Sequence, residues 1–301
     1  MTGEAAVRIN KYSEVRESIY GKHVRSSDML FTGLIYGCTA VSLLILVGIL
    51  GYTFVRGIPH VTWSFLSTAS SAVKGTFGIL GNIINTIYII VITLIIAAPI
   101  GIGSAIYLNE YAKPGKLVRT IEFTTEILSG IPSIIFGLFG MVFFGMTLKL
   151  GYSVLTGSFT LTLMVLPLIT RNTQEALKTV PDSYRSGALG IGATKWYMIR
   201  TILLPSAAPG ILTGVILSIG RIVGESAALL FTAGSGFQLP KNLFGKLFES
   251  SGTLTIQLYL SMQKAKYDQA FGIAVVLLII VLGINLLTRF LTNRFDVTKL
   301  K

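Results

Sequence analysis

Long stretches without any charged residue are the feature that most constrains how this chain can fold. An α-helix needs about 20 apolar residues to cross the roughly 30 Å hydrocarbon core of a bilayer. Six stretches reach that length, and only the fifth contains charges, Arg221 and Glu225. The predicted spans are residues 29–55, 75–109, 127–148, 150–170, 201–231 and 269–288.

The composition supports the same fold class. Of the 301 residues, 52% are hydrophobic and only 13% are charged, and the mean hydropathy is +0.72. A soluble domain carries about 25% charged residues. The single cysteine, Cys38, excludes an intramolecular disulfide and a cysteine-based metal site. We therefore predict an all-α polytopic membrane protein of about six transmembrane helices, surrounded by membrane lipid, with no metal site.

The distribution of basic residues predicts the orientation of the chain. The net charge is +12, and Lys and Arg are concentrated before the first span, after the second and fourth, and at the C-terminus. The alternate loops carry fewer basic residues. Because cytoplasmic loops are enriched in Lys and Arg, we predict that both termini lie in the cytoplasm. The positive charge is thus assigned to the membrane surface, and no nucleic-acid partner is expected.

Two segments within the apolar stretches are predicted to interrupt regular helix. Residues 97–104 contain Pro99, where we expect a kink, together with Gly101 and Gly103, where helix backbones are expected to approach closely. Residues 129–133 read Ser-Gly-Ile-Pro-Ser and are expected to break the start of the third span. Such breaks need protein or water partners for the freed backbone groups, so they indicate a bundle interior.

The segment between the fourth and fifth spans is too polar to cross a membrane and too regular for a linker. Pro181 and Asp182 are predicted to open one helix, and residues 191–203 have amphipathic spacing that should end before Pro205. Two interpretations fit this pattern. The segment is either an interfacial amphipathic hairpin or a short helix that docks in a groove of a partner protein.

The order of residues in that segment carries a resemblance. A group of three residues is followed, after three intervening residues, by a glycine and, after nine more, by Ile-x-Leu-Pro. This spacing resembles the Glu-Ala-Ala loop of binding-protein-dependent ABC importer permeases. The pattern residues are Ser186, Gly187, Ala188, Gly192, Ile202, Leu204 and Pro205. Ser186 and Gly187 replace the family's Glu and first Ala. The resemblance implies a type I ABC importer permease (MetI-like) fold, in which this helix couples the spans to an ATPase subunit.

Arg221 and Glu225 are functional candidates because an ionisable residue within a span costs about 2.5–3.5 kcal/mol on insertion scales. Their four-residue spacing predicts that they share a helical face, and Gly220 and Gly224 are expected to leave that face without bulky side chains. One interpretation is an ion pair that only packs the bundle. The other is a gated anion site, in which the planar arginine fork binds an oxyanion and the glutamate competes with that anion.

Four further charged residues lie near the ends of predicted spans. Arg171 follows the fourth span, with Glu175 one turn later, and is interpreted either as a membrane-surface anchor or as a second anion-contacting cation. Glu122 and Glu126 precede the third span, and we interpret both as carboxylates solvated at the membrane interface.

A second resemblance is narrower than the first. Residues 106–111 (Ile-Tyr-Leu-Asn-Glu-Tyr), 128–140 and 220–234 look like the PstA family of permease subunits of high-affinity phosphate importers. The last segment contains the Gly-Arg-x-x-Gly-Glu core, which is shared with the sister PstC family, and continues as the more PstA-like Leu-Phe-Thr-Ala-Gly. In that family, residues corresponding to Arg221, Glu225 and Arg171 are associated with phosphate passage.

The predicted spans give the organisation of the chain, and the resemblance, which covers about residue 75 to the C-terminus, implies its partners. Residues 1–28 form a cytoplasmic tail, 29–56 the first transmembrane helix, 75–292 the permease core with coupling segment 172–204, and 293–301 a second cytoplasmic tail. The implied partners are a PstC-like sister permease, two PstB-like ATP-binding subunits, a PstS-like extracytoplasmic phosphate-binding protein and phosphate-signalling proteins. The localisation implied is the inner (cytoplasmic) membrane of the cell.

The expected function is half of the pathway of an ATP-driven phosphate importer. The sequence has no Gly-x-x-x-x-Gly-Lys-Ser/Thr phosphate loop, and Gly245-Lys246 is followed by Leu247. We therefore expect no enzyme activity and no cofactor in this chain, with ATP and Mg used by partner subunits. The alternatives are a permease for another oxyanion (sulfate, molybdate or tungstate) and a non-transporting scaffold or sensor in phosphate signalling.

Overall fold

The computed structural model describes residues 26–71, 75–240 and 242–295. The predicted cytoplasmic tails fall almost entirely outside these residues. The described chain divides into two units, one ending at Tyr52 and the other beginning at Thr53. The first unit is helical from Ser26 onward, and the second contains all the candidate site residues.

The described residues are overwhelmingly helical. The helices are α1 (Ser26–Gly57), α2 (Trp63–Ser67), α3 (Leu80–Ile106), α4 (Lys116–Gly130), α5 (Ser133–Gly140), α6 (Val154–Lys178), α7 (Asp182–Gly190), α8 (Lys195–Met198), α9 (Leu204–Gly224), α10 (Ala227–Thr232), α11 (Leu254–Gln263) and α12 (Tyr267–Phe295). Turns of π-helix extend α3, α5 and α8 at Tyr107–Tyr111, Met141–Thr147 and Ile199–Leu203. The 3₁₀ turns are Ile58–His60 and Gly245–Phe248. Strands β1 (Ala69–Ser71) and β2 (Thr76–Ile79) pair antiparallel, with Ala69 opposite Ile79.

The predicted number of spans is confirmed. Within the described part of the chain, five helical stretches are long and apolar enough to cross a membrane, and a sixth exists if one bent pair of helices is counted as a span. The five are Met29–His60, Leu80–Tyr111, Val154–Lys178, Lys195–Gly224 and Tyr267–Leu287. The bent pair is Lys116–Gly130 with Ser133–Thr147, whose axes meet at 101°.

The third predicted span is the one that changes most. The break expected at residues 129–133 is present, because Ile131 has extended backbone (φ −70°, ψ 131°), as residues before proline prefer. The prediction of one span over 127–148 is wrong in its first part. The helix before the break runs back to Lys116, and the chain turns sharply at Pro132.

The glycine predictions for α3 are confirmed at one position and wrong at the other. A Cβ placed on Gly101 would lie 2.7 Å from Cγ2 of Ile169 in α6, so only glycine permits this approach. Gly103 has no neighbouring heavy atom within 4 Å of such a Cβ among the described residues. Helix α3 remains continuous through Pro99.

Helices α3 and α6 and the end of α9 form the main core. On these three helices, its buried contributors include Ile89, Ala97, Leu161, Val165, Ile169, Ile222 and Val223. Two buried threonines of α6 donate hydrogen bonds to carbonyls of their own helix, Thr160 to the Thr156 carbonyl at 2.7 Å and Thr162 to the Ser158 carbonyl at 2.8 Å. These two hydroxyls therefore impose little cost where water is scarce.

A loop between α10 and α11 is tied to the start of α3 by two buried asparagines. The Asn82 side-chain amide donates to the Gly252 carbonyl at 2.9 Å, and the Asn85 amide donates to the Gly236 and Gly252 carbonyls at 3.0 and 3.2 Å. These bonds pair the Gly252 carbonyl and give a second donor to the Gly236 carbonyl, which also accepts from the Gly252 N–H at 2.6 Å, so irregular backbone inside the bundle is hydrogen-bonded.

The fifth predicted span has different ends from those expected. The helix begins at Lys195 and passes through Leu204 and Pro205, so the predicted stop before Pro205 is wrong. The π-helical turn explains the tolerance, because Leu204 N–H donates to the Ile199 carbonyl and Pro205 then occupies the first turn of α9, where a missing N–H costs little. The helix ends at Gly224 instead of reaching residue 231.

Candidate functional site

A cavity between α4, α6 and α9 contains most of the charged residues singled out from the sequence. Its volume is about 520 Å³, and Arg171 and Arg221 both line it. The charged lining residues are Glu122, Glu126, Arg171, Glu175, Lys178 and Arg221. Three cations and three carboxylates therefore share one space, so their formal charges balance.

Helix α4 presents a polar face to this cavity. Glu122, Thr125, Glu126 and Ser129 all line it, and their spacing of three, four and seven residues places them on one side of the helix. The interpretation of both glutamates as membrane-interface residues overlooked this position. The spacing of these polar residues is visible in the sequence and is typical of one helical face. The sequence does not show that α4 extends back to Lys116 and forms one wall of a cavity.

Arg171 occupies the interior of α6 instead of its end, because the helix continues to Lys178. Its Nε donates to Oε1 of Glu175 at 3.3 Å, one turn along the same face. Both side chains are 63% exposed, and Glu175 accepts only from the Nε–H of Arg171. Arg171 therefore has donors that an anion in the cavity could use.

Arg221 lies in the last turn of α9 and is exposed to the cavity. The structure gives it no hydrogen bond or ion pair to another described residue. Its guanidinium offers five N–H donors in a planar fork, the geometry that matches two oxygens of an oxyanion. Of the two cavity arginines, Arg221 is the one with no protein partner in the described part of the chain.

The expected pairing of Arg221 with Glu225 is wrong. Helix α9 ends at Gly224, and Glu225 has extended backbone (φ −82°, ψ 124°), so the two side chains do not share a helical face. The Glu225 side chain is buried, and its Oε1 accepts from the Ala228 N–H at 3.0 Å, at the start of α10. The Glu225 carbonyl accepts from Thr255 Oγ1 at 2.9 Å.

Glu225 thus holds the junction of α9, α10 and α11 and is absent from the described lining of the cavity. A carboxylate at a helix N-terminus is stabilised by the exposed N–H groups there. Gly220 and Gly224 have no close neighbour that a Cβ would meet among the described residues, so they do not mark a shallow contact face. A role for Glu225 in anion passage remains a prediction.

The coupling segment contains the predicted helix at Pro181-Asp182, now α7. Its pattern residues divide by exposure: Ser186, Gly187 and Gly192 are exposed, whereas Ala188 is buried against α6 and α8. Ile202 and Leu204 are partly buried and Pro205 is exposed along the following helix. The small residues therefore lie on a surface that a partner can reach, while Ala188 attaches the helix to the rest of the chain.

Gly192 ends the turn after α7 in the left-handed region, with φ +83°. Its N–H donates to the Leu189 carbonyl at 3.0 Å, and the Ala193 N–H donates to the Ala188 carbonyl at 3.1 Å. This is the backbone position at a helix C-terminus that favours glycine. The glycine of the pattern is thus required by the turn and not by crowding, since a Cβ at this position would have no described heavy atom within 4 Å.

Large apolar side chains surround the exposed small residues of the coupling segment. Ile191 is 86% exposed, and Leu189, Trp196 and Tyr197 are each more than half exposed. Leu189 and Ile191 lie outside the stretches that are long and apolar enough to cross a membrane, and Trp196 and Tyr197 lie at the very start of the stretch Lys195–Gly224. An exposed apolar surface on such a segment is typical of a protein–protein contact.

Comparison with known proteins identifies the class. Residues 97–298 match the family described as binding-protein-dependent transport system inner membrane component. Because the match covers more than half of the chain, the protein belongs to this family. It is a permease subunit of an ABC importer and a multi-pass protein of the cell membrane.

Two individual relatives show which members of the family this chain resembles. The chain is 35% identical to a probable ABC transporter permease protein, YqgI, of Bacillus subtilis, over 88% of this chain and 95% of that protein. It is 33% identical to the phosphate transport system permease protein PstA of Mycobacterium leprae, over 84% of this chain and 86% of that protein. The resemblance to the PstA family is therefore confirmed.

A solved structure confirms the fold. The chain superposes on a subunit of a bacterial alginate ABC transporter crystallised with its pentasaccharide-bound periplasmic protein, with a TM-score of 0.67 and 16% identity. The match covers 90% of this chain and 96% of the other. The predicted importer-permease fold is confirmed, and at this identity the likeness concerns the fold alone.

Proposed function

We propose that this chain is the transmembrane permease of an ATP-driven inorganic phosphate importer and forms half of the translocation pathway. The observation that carries the proposal is the shared cavity of Arg171 and Arg221, two cations from different helices facing one space of about 520 Å³. The similarity to PstA of Mycobacterium leprae supports phosphate as the transported anion.

The balance of charges in the cavity favours passage over permanent binding. Arg221 has its guanidinium donors available, whereas Arg171 is partly occupied by Glu175. Phosphate in the cavity could accept from Arg221 directly, whereas it would have to compete with Glu175 for Arg171. The carboxylates of Glu122 and Glu126 reduce the net positive charge, which keeps the anion from being held too tightly to leave.

The coupling segment supports the proposed partners. The exposed Ser186, Gly187 and Gly192, flanked by exposed Ile191, form a surface suited to a groove of an ATP-binding subunit. Membership of the importer family implies ATPase and binding-protein partners, and we propose a PstC-like sister permease, two PstB-like ATPases and a PstS-like phosphate-binding protein. ATP and Mg would be bound by the ATPases and not by this chain.

The test is uptake of labelled phosphate by proteoliposomes that contain the complete complex. In the Arg221→Gln variant we expect ATP-dependent uptake to fall about tenfold or more, because a charge-assisted hydrogen bond contributes roughly 1.5–3 kcal/mol. The matched control is Arg119→Gln, which removes an exposed arginine of α4 that does not line the cavity.

Undiminished uptake in Arg221→Gln would exclude the cavity as the anion pathway. Equal losses in the Arg221 and Arg119 variants would show a general effect of surface charge instead. Excess sulfate, molybdate or tungstate added to the same assay distinguishes the rival oxyanions. A complex that hydrolyses ATP and moves none of these anions would favour the scaffold or sensor alternative.

A further inference from the structure

A single arginine next to the exposed pattern residues has all of its donors occupied. The Arg185 guanidinium donates to Glu110 Oε1 from Nε at 3.2 Å and from Nη2 at 3.0 Å. It donates to Asp182 Oδ1 at 3.0 Å, and to the Val180 and Leu177 carbonyls, each at 2.9 Å. These five bonds equal the number of N–H donors that a guanidinium carries.

The partners of Arg185 belong to three different elements. Leu177 is in the last turn of α6 and Val180 follows that helix, where carbonyls lack partners within the helix and the macrodipole favours a cation. Asp182 begins α7. Glu110 lies in the π-helical turn Tyr107–Tyr111 that extends α3. Arg185 therefore joins the coupling helix to the ends of two spans.

The contact with Glu110 differs from the contact with Asp182 in burial. The Glu110 side chain is 5% exposed and also accepts from Asn109 Nδ2 at 2.8 Å, whereas the Asp182 side chain is 97% exposed. The Arg185 side chain is 19% exposed. Charge pairs shielded from water resist separation, while exposed pairs contribute little.

A second contact to the same π-helical turn comes from a residue that follows α7 in the sequence. Lys195 Nζ, at the start of α8, lies 4.9 Å from the centroid of the Tyr111 ring. The end of α3 is thus held by a residue within α7 and by a residue after it. Single turns of π-helix within α-helices are frequent at functional sites.

We propose that Arg185 and Glu110 are the positioning residues through which movement of the coupling helix is transmitted to α3. The proposal rests on the proposed function, because it requires that α7 docks on an ATPase. Ser186 and Gly187, the next residues after Arg185, are exposed to such a partner. In this proposal Ser186 and Gly187 contact the ATPase, while the preceding residue, Arg185, is bonded to Glu110 at the end of α3.

The packing of α3 shows how its displacement reaches the cavity. Gly101 of α3 lies against Ile169 of α6, two residues before Arg171. The contact leaves no room for a Cβ on Gly101, so a displacement of α3 would press against the Ile169 side chain or lose contact with it. A shift of α3 that begins at Glu110 would thus act on the wall that carries Arg171.

The experiment measures phosphate transported per ATP hydrolysed by the complete complex in proteoliposomes. In Glu110→Ala we expect the ATPase subunits to copurify normally and ATP hydrolysis to continue, while phosphate moved per ATP falls roughly fivefold or more, the range of allosteric coupling. Asp182→Ala is the matched control, because it removes the exposed partner of the same arginine. We expect its ratio to stay near that of the wild type.

Glu110→Gln separates a positioning role from a merely structural one. The glutamine keeps Oε1 as an acceptor for Arg185, so we expect it to restore most of the ratio lost in Glu110→Ala. If the alanine variant does not fold, Arg185→Lys replaces it, because a lysine keeps the charge but cannot make the five guanidinium bonds, and we expect a similar fall in the ratio. An unchanged ratio in both variants, or equal losses in Glu110→Ala and Asp182→Ala, would overturn the proposal.

The proposed function fails in a different way. If the wild-type complex moves another anion and no phosphate, the substrate assignment is wrong, and the ratio is then measured with that anion. If Glu110→Ala instead prevents copurification of the ATPase subunits while the permease itself remains folded, Glu110 shapes the docking surface, and the transmission proposal is rejected.

Discussion

The cavity and the coupling joint, defined as Arg185 with its oxygen partners, use the same side chain in opposite ways. All five guanidinium donors of Arg185 are occupied by protein oxygens, whereas Arg171 uses one N–H on Glu175 and Arg221 has no partner among the described residues. An arginine with its donors filled holds elements together. An arginine with donors available can bind an anion, which makes hydrogen-bond occupancy a better guide to role than position in a span.

The largest expected effect is on stability, and it distinguishes an arginine that joins helices from an arginine that faces the cavity. Arg185→Ala leaves the buried Glu110 carboxylate without its counterion, and we expect it to destabilise the protein by about 3–5 kcal/mol, as for other buried pairs that lose one member. Thermal unfolding of the purified complex measures the change. Arg221→Ala is the comparison, and we expect little change because its side chain is exposed. Equal destabilisation of the two variants would remove the distinction between joint and cavity.

The next prediction concerns the turn that ends the coupling helix. Gly192→Ala places a Cβ at φ +83°, where an L-residue costs roughly 1–2 kcal/mol. We expect weaker copurification of the ATPase subunits with little change in the unfolding temperature of the spans. Gly190→Ala is the control, because Gly190 is within α7, is not one of the pattern residues, and has no described heavy atom within 4 Å of an added Cβ. Normal assembly of the Gly192 variant would contradict the role assigned to this turn.

A smaller effect is expected beside the cavity. Glu225→Ala removes the acceptor for the Ala228 N–H, and we expect destabilisation of about 1 kcal/mol, as for loss of a helix cap. Glu225→Gln keeps that acceptor and should be close to wild type in both unfolding and phosphate uptake. A severe loss of uptake in Glu225→Gln with normal stability would instead restore Glu225 to the anion pathway.

The smallest expected effect on stability is at Glu175. Its ion pair with Arg171 is exposed and lies one helical turn away, so Glu175→Gln should change stability by only about 0.3–0.5 kcal/mol. The cavity gains one net positive charge and Arg171 loses its competitor. We expect phosphate to bind the permease more tightly and to be released more slowly, as measured by labelled-phosphate dissociation. Faster dissociation would contradict the proposed competition.

Much of the fold was predictable from patterns along the chain. The apolar stretches predicted the spans, Pro132 predicted the break in the third, and Pro181-Asp182 predicted the start of α7. These features depend on interactions that are local or are imposed by the bilayer, namely backbone hydrogen bonding and proline geometry. The spacing of the coupling segment also supported the family resemblance that the comparisons confirmed.

The pairing of charges was less predictable. Four-residue spacing predicted that Arg221 and Glu225 would meet, but the rule holds only within one continuous helix, and α9 ends between them. The same spacing was informative for Arg171 and Glu175, which do share a helix. Sequence alone does not locate a helix end that depends on the packing of α10 and α11 against the junction.

The sequence by itself determined that this chain crosses a membrane about six times, lacks a phosphate loop and carries a coupling pattern before its fifth span. Only the tertiary structure decided that Arg171 and Arg221 share a cavity, that Glu225 caps α10, and that Arg185 joins α7 to Glu110, 75 residues earlier in the chain. The physical reason is the separation along the chain of the residues that interact. Apolar periodicity and proline act on neighbouring residues, whereas the environment of a charge is set by whichever helices pack around it.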